Sequence, residues 1–334
     1  MKKIIFAAIL GGLLCSQVSA QLLINGAGAT FPYPIYSKWF DAYSKVDTSV
    51  RFNYQSIGSG GGQKQLLAQT VDFGASDGPM SDDALAKAPG KILHIPTVAG
   101  AVVLSYNVPG NPKLKLDGPT IAEIFLGKIK KWNDPKIAAL NSGVKLSDID
   151  VVVVHRSDGS GTSYIFTDYL SSVNEEWAKS VGKNTAVNWP TGLGGKGNEG
   201  VSGQIKQLPG AIGYVELIYA VQNKIPFADV KNSSGAFITP SLDSVTAALA
   251  SATIPDDFRF SMVNPSGKSS YPIAGVTWLL VYAEQKDATK GKKLVEFLKW
   301  AATSGEAMAT SLDYAPLPKE VQERVLKRID EIKL

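Results

Sequence analysis

Unbroken apolar runs and 3.6-residue stripes alternate along most of this chain, and that alternation restricts it to α/β lobes in which helices pack on sheets. Val50 to Ser56 sets Val, Phe and Tyr against polar partners, the period of a half-buried strand. Ala101 to Tyr106 and Val151 to Val154 are continuous apolar runs, the pattern of strands covered on both faces, so the sheets are expected to be mostly parallel. Helical spacing is clearest at Ile165, Phe166, Tyr169, Leu170 and Val173, and again at Leu294, Phe297, Leu298 and Ala301. Such stripes face a core. A last helix is predicted from about Pro318, where Glu320, Glu323, Arg324, Lys327, Arg328 and Glu331 form a solvated charged face.

Residues 1–20 read as a secretory leader. Lys2 and Lys3 precede the apolar stretch Ile4 to Leu14, which is too short for an ordinary span, and Val18-Ser19-Ala20 offers small residues for cleavage before Gln21. The expectation is export to the periplasm with cleavage after Ala20. Cys15, the single cysteine, follows Gly12-Leu13-Leu14; a lipoprotein needs a small residue immediately before its modified cysteine, so no lipid anchor is expected. Without Cys15 the chain has no disulfide, thiolate nucleophile or cysteine-bound metal. The other 314 residues exceed the size at which one core stops growing, which predicts two lobes and a cleft. Losing Lys2 and Lys3 takes the formal charge from +4 to +2, and no basic tract suggests a nucleic-acid partner.

Four short segments place glycines and hydroxyls where a helix is about to begin or a strand has just ended: Gly26-Ala-Gly-Ala-Thr30-Phe31, Gly58-Ser59-Gly-Gly-Gly62, Phe73-Gly-Ala-Ser76-Asp77, and Arg156-Ser-Asp158-Gly-Ser160-Gly161-Thr162. Three of them precede helical patterns, whose free N–H groups and dipoles favour an anion. One such loop alone is more often only a helix cap. Together they offer the many donors, arriving from several directions, that a tetrahedral oxyanion requires. Arg156 can present two parallel N–H groups while Asp158 orients its guanidinium; on these two residues alone a ligand-free structural ion pair is an equally good reading.

Asp77 selects among anions. A carboxylate repels a bare dianion but accepts a hydrogen bond from a phosphate that keeps a proton, a discrimination of roughly 10⁴-fold or more. Sulfate and molybdate carry no such proton at neutral pH. Without the other loops, Asp77 would read as an ordinary turn residue. Enzyme readings fit less well. A serine hydrolase would have only His94 and His155 available as its base. His94 sits between Leu93 and Ile95 and reads as packed. A phosphatase with Ser160 or Thr162 as nucleophile lacks a base and a metal, and no zinc ligand spacing is present. Gly192-Leu-Gly-Gly-Lys-Gly197 has neither the spacing nor the terminal hydroxyl of a P-loop, and no G-x-G-x-x-G occurs in the three hydroxyl-rich loops that precede helices; the loop Gly192 to Gly200 is assigned by default to a tight turn or a contact between lobes.

The segments Gly-Ala-Gly-Ala-Thr30-Phe31-Pro, Gly58-Ser59, Val-Asp-Phe-Gly-Ala-Ser-Asp77, Arg156-x-Asp-Gly-Ser-Gly-Thr162 and Trp189-Pro-x-Gly-Leu-Gly-Gly-Lys-Gly closely resemble the periplasmic phosphate-binding proteins of the phosphate-specific ABC transporter. Leu126-Gly-Lys-Ile-Lys-Lys-Trp132, Leu208-Pro-Gly-Ala-Ile-Gly-Tyr-Val215 and Leu312-Asp-Tyr-Ala extend the likeness through nearly all of the mature chain. The resemblance implies a two-lobed, type II-like α/β periplasmic binding protein with two crossing segments. One lobe would hold residues 21–103 and 277–334, the other 104–276. It further implies high-affinity capture of inorganic phosphate, without catalysis or cofactor, by a monomer that closes on its ligand and delivers it to a membrane permease. Carried over residue by residue, the ligands are Thr30, the Phe31 amide, Ser59 and Asp77 from one lobe and Arg156, Ser160, the Gly161 amide and Thr162 from the other, with Asp158 behind Arg156. Gly60 departs from relatives that can carry a second serine there.

Overall fold

The computed structural model describes residues 21–334, so the leader read over residues 1–20 lies outside the described residues. Its strands are β1 (Leu22–Gly28), β2 (Val50–Ser56), β3 (Phe73–Ser76), β4 (Ile92–Tyr106), β5 (Lys115–Leu116), β6 (Val152–Arg156), β7 (Leu193–Gly195), β8 (Ala211–Glu216), β9 (Asp229–Lys231), β10 (Phe237–Ile238), β11 (Ala274–Tyr282) and β12 (Ala315–Pro316). One mixed sheet runs β2-β1-β3-β11-β4-β8-β6-β7 with β12 against β4, and β10-β9-β5 form a second, small sheet.

Each half of the large sheet is a parallel unit. β1 pairs in parallel with β2 and β3, and β6 pairs in parallel with β8 and β7. Antiparallel pairing is concentrated at the centre, where β4 takes β11, β8 and β12 as antiparallel neighbours and β11 also takes β3. The expectation of mostly parallel sheets therefore holds for the outer halves and fails in the middle. All fifteen residues of β4 are buried, and a strand covered on both faces has the same apolar run whichever way its neighbours point.

β4 is also the outward crossing. Up to Ala101 it pairs with β11, and from Val102 onward with β8. The return lies beside it, since the Val102 amide donates to the Ile273 carbonyl at 2.8 Å just before β11 begins. Ile254 to Ser261, shortly before the return, straps the two halves together: Trp278 Nε1 donates to the Phe258 carbonyl at 2.8 Å, Arg259 Nη1 donates to Asp82 at 2.7 Å, and the Ser261 hydroxyl donates to Asp168 at 2.7 Å.

The predicted helices form with their apolar stripes inward. Gly161–Val173 buries Ile165, Phe166, Tyr169 and Leu170, with Ser160 as N-cap accepting from the Ser163 amide. Ala288–Trp300 buries Leu294, Phe297 and Leu298, and Lys319–Ile329 buries Val321, Val325 and Ile329 under its charged face. Arg324 on that last helix has a partner the charge pattern did not disclose: it donates to the Ile254 carbonyl at 3.0 Å and so anchors the strap. Trp39, Trp132, Trp177 and Trp278 are fully buried, each contributing roughly 2–3 kcal/mol of apolar burial.

Candidate functional site

In an open α/β sheet the carboxyl ends of parallel strands carry the loops free to meet a ligand, and the hydroxyl-rich segments stand there. β1 delivers Thr30 and Phe31 ahead of the helix Tyr33–Val46; β2 leads through Gly58 into the helix Ser59–Leu67; β3 ends one residue before Asp77; β6 ends on Arg156, ahead of the helix Gly161–Val173. Thr30, Phe31, Ser59, Asp77, Arg156, Ser160 and Thr162 are all buried, none more than 3% exposed.

Hydrogen bonds tie the two halves together around these groups. The Gly161 amide donates to Ser59 Oγ at 3.0 Å, and the Asp77 amide donates to the same oxygen at 3.1 Å. A Cβ on Gly161 would lie 2.5 Å from both Asp77 Oδ2 and Ser59 Oγ, so glycine is required there for the close approach. Gly58, at φ +86°, faces Asp158 Oδ2, which a Cβ would meet at 2.3 Å. Gly60, where the family pattern admits serine, donates its amide to the Gly159 carbonyl at 2.9 Å.

Arg156 and Asp158 form a two-pronged pair. Nε donates to Asp158 Oδ1 at 2.8 Å and Nη2 to Oδ2 at 2.6 Å, which leaves Nη1 on the opposite side, 3.4 Å from Thr162 Oγ1. The guanidinium side chain is 1% exposed, so Asp158 both holds its plane and offsets its desolvation. Asp158 Oδ1 also accepts from the Gly197 amide at 3.1 Å, and the Arg156 side chain and these bonds hold its carboxyl below the ordinary range despite burial.

Asp77 is the opposite case. Burial pushes its carboxyl up from 3.8 to about 7, against the Thr277 hydroxyl, the Arg156 charge and Ser59, which all pull it down. Thr277 donates to Oδ1 at 2.8 Å, and Oδ2 is the oxygen that lies toward Gly161. An acceptor with one oxygen occupied and the other aimed inward suits a partner that brings a proton.

All four hydroxyl oxygens of the cluster accept from N–H groups: Thr30 from Asn198, Ser59 from Asp77 and Gly161, Ser160 from Ser163, and Thr162 from Arg156 and Asn198. The Phe31 amide has no acceptor among the described residues. Neither histidine serves the cluster. His94 Nε2 accepts from the Met80 amide at 3.1 Å, and burial pushes it down to about 3. His155 stacks on Trp189 at 4.9 Å between ring centres.

Every residue singled out from sequence thus lies in one buried cluster or, for Asp158, directly behind it. Three participants were missed. Asn198 donates through Nδ2 to Thr30 Oγ1 at 2.7 Å and Thr162 Oγ1 at 3.2 Å; it lies in the Gly192 to Gly200 segment, which forms β7 and the first turn of the helix Gly197–Gln207. Thr277 is an isolated hydroxyl inside the apolar run of β11, a signal that could have been weighed. Glu216 ends β8 wholly buried; burial drives its carboxyl well above the ordinary range, and Oε2 accepts from the Ile218 amide at 2.9 Å.

Residues 16–304 match the PBP superfamily domain. The chain is 45% identical to the phosphate-binding protein PstS of Pasteurella multocida, over 97% of this chain and 94% of that one. It is 44% identical to PstS of Haemophilus influenzae, over 96% and 95%. Among solved structures, its fold is similar to that of a high affinity periplasmic phosphate-binding protein (PfluDING) bound with phosphate, at a TM-score of 0.74 and 22% identity over 91% of this chain and 93% of that one. It is similar also to the phosphate binding protein of Stenotrophomonas maltophilia, at a TM-score of 0.70, 22% identity and coverage of 91% and 93%. With sequence likeness spanning almost the full length, the chain belongs to the PstS phosphate-binding proteins of the PBP superfamily.

Proposed function

We propose that this chain captures inorganic phosphate between its two lobes and delivers it to the membrane permease of an ABC importer, as an exported periplasmic monomer without catalytic activity. The observation that carries the reading is the meeting of Arg156, helix-start amides, four oriented hydroxyls and a proton-accepting carboxyl in one water-excluded cluster drawn from both sides of the crossing. The names of the relatives, phosphate-binding proteins throughout, agree with it. Thr30, the Phe31 amide, Ser59 and Asp77 act from a lobe of residues 21–103 and 277–334. Arg156, Ser160, the Gly161 amide and Thr162 act from a lobe of residues 104–276. Contacts made from both sides favour the closed state when the anion is bound. Asp77 accepts a hydrogen bond through Oδ2 from the phosphate oxygen that keeps a proton, and rejects anions that have none. The engagement of both histidines elsewhere, and the use of Ser160 Oγ as a helix cap, support binding over phosphoryl transfer.

Native mass spectrometry of the purified mature chain tests the reading directly, with one retained anion of phosphate mass expected. Calorimetry should then give a micromolar or tighter phosphate constant that equimolar sulfate does not alter. Equal affinity for the two anions, or turnover of a chromogenic phosphate ester that Ser160→Ala abolishes, would refute it.

A further inference from the structure

We propose that Asn198 is a positioning residue that forces the Thr30 and Thr162 hydroxyls to act as donors toward the bound anion. The inference rests on the phosphate-binding reading and deepens it by assigning a role to a residue in the first turn of the helix Gly197–Gln207.

A hydroxyl has one proton and two lone pairs, and its rotor turns to suit its neighbours. An anion gains only from a hydroxyl whose proton points at it, so a free rotor must be immobilised on binding, while a rotor whose oxygen already receives N–H groups is set beforehand. Asn198 provides that setting twice. Its Nδ2 donates to Thr30 Oγ1 at 2.7 Å and to Thr162 Oγ1 at 3.2 Å, and its backbone amide donates to Thr30 Oγ1 at 3.2 Å. Arg156 Nη1 adds a further donor to Thr162 Oγ1 at 3.4 Å. With their lone pairs occupied by N–H groups, both threonines can only donate toward the anion.

The amide orientation follows from chemistry. Asn198 Oδ1 faces the Glu216 backbone amide at 2.9 Å. That N–H is an obligate donor, so the atom facing it must be the oxygen, and the amino group must face the threonines. Asn198 is fully buried, which leaves no water to substitute for it. It also reaches across the crossing, since Thr30 belongs to the first lobe and Asn198 and Thr162 to the second. The two hydroxyls are therefore set together only when the lobes are closed.

A double-mutant cycle on the mature full chain tests the assignment, reading phosphate affinity by calorimetry and fold by circular dichroism and thermal melting. Asn198→Ala in the wild-type background should weaken phosphate binding about 10-fold or more, the scale of one hydrogen bond to a charged group. In a Thr30→Val, Thr162→Val background the same substitution should cost less than about twofold, because the hydroxyls it acts through are gone. A residue that merely supports the fold would give the same loss in both backgrounds, and that result overturns the proposal, as does wild-type affinity in Asn198→Ala. Should Asn198→Ala fail to fold, Asn198→Asp carries the cycle: it keeps the acceptor for Glu216 but offers the threonines an acceptor in place of a donor, and should weaken phosphate about 100-fold or more by turning both protons away. A wild-type chain that binds no phosphate refutes the functional reading itself, and this assignment falls with it.

Discussion

Acidification should admit sulfate to the cleft, and Asp77 should be the only group responsible. In the closed cleft burial raises this carboxyl from its ordinary 3.8 to about 7, whereas an opened cleft returns it to water and to the ordinary value. Between those two limits the closed state binds a proton that the open state lacks. Closing on a proton-free dianion is therefore favoured at low pH, the advantage is lost as pH rises through about 7, and it levels off below 3.8. Each decade of separation is worth 1.36 kcal/mol, so the full effect is about 4 kcal/mol, or about 10³ in affinity. Titrating phosphate-free protein calorimetrically with sulfate at constant ionic strength, from pH 8 down to about pH 5, should recover about 100-fold of this. Phosphate brings its own proton and should show a shallower dependence. In Asp77→Asn the amide donates at every pH, so sulfate binding should be stronger at pH 8 and flat. Wild-type sulfate affinity that does not change with pH, or an unchanged slope in Asp77→Asn, would refute the reasoning.

Thr162→Ala removes a hydroxyl set by Arg156 and Asn198; phosphate should bind about 10- to 100-fold more weakly, with an unchanged melting temperature for the ligand-free protein. Gly161→Ala places a methyl 2.5 Å from Asp77 Oδ2 and Ser59 Oγ and should hold the lobes apart, costing about 1–3 kcal/mol of closure; small-angle scattering should then show no compaction at a phosphate concentration that compacts the wild type. Asp158→Asn takes away the carboxylate that grips Nε and Nη2 of Arg156 and should lower phosphate affinity about 100-fold while depressing the melting temperature, because a buried guanidinium is left half-paired. Glu306 is pushed by burial from 4.5 up to about 8, partly offset by the Leu317 backbone. The charged form is thus disfavoured in the fold, stability is lost as pH rises toward 8, and Glu306→Gln should melt alongside the wild type at pH 5 but up to about 5 kcal/mol more stably at pH 9.

Much of the site was legible before any fold was known, because its donors are local devices. A serine, threonine or glycine amide at a helix start presents its N–H or O–H group wherever that helix lies, so Thr30, Ser59, Gly161 and Thr162 announce themselves in short stretches of sequence. Arg156 and Asp158, two residues apart, could likewise be paired from spacing, although spacing alone left open whether they served a ligand. Asn198, Thr277 and Glu216 were not legible for the converse reason. Asn198 and Thr277 act on partners far away in the chain, since Thr30 lies 168 residues from Asn198 and Asp77 lies 200 residues from Thr277, and Glu216 is marked only by the burial that the fold gives it.

The sequence by itself determined the α/β layering, the family, and which side chains can meet a small anion, since periodicity, helix caps and glycine-rich turns are properties of neighbouring residues. Only the tertiary structure decided that the centre of the sheet is antiparallel, because a strand buried on both faces is equally apolar whichever way its neighbours run. It alone also decided that Asp77 is raised while Asp158 is lowered. Both are aspartates on loops after strands, and what separates them is that one lies against Arg156 while the other is walled from water with a threonine hydroxyl as its nearest donor.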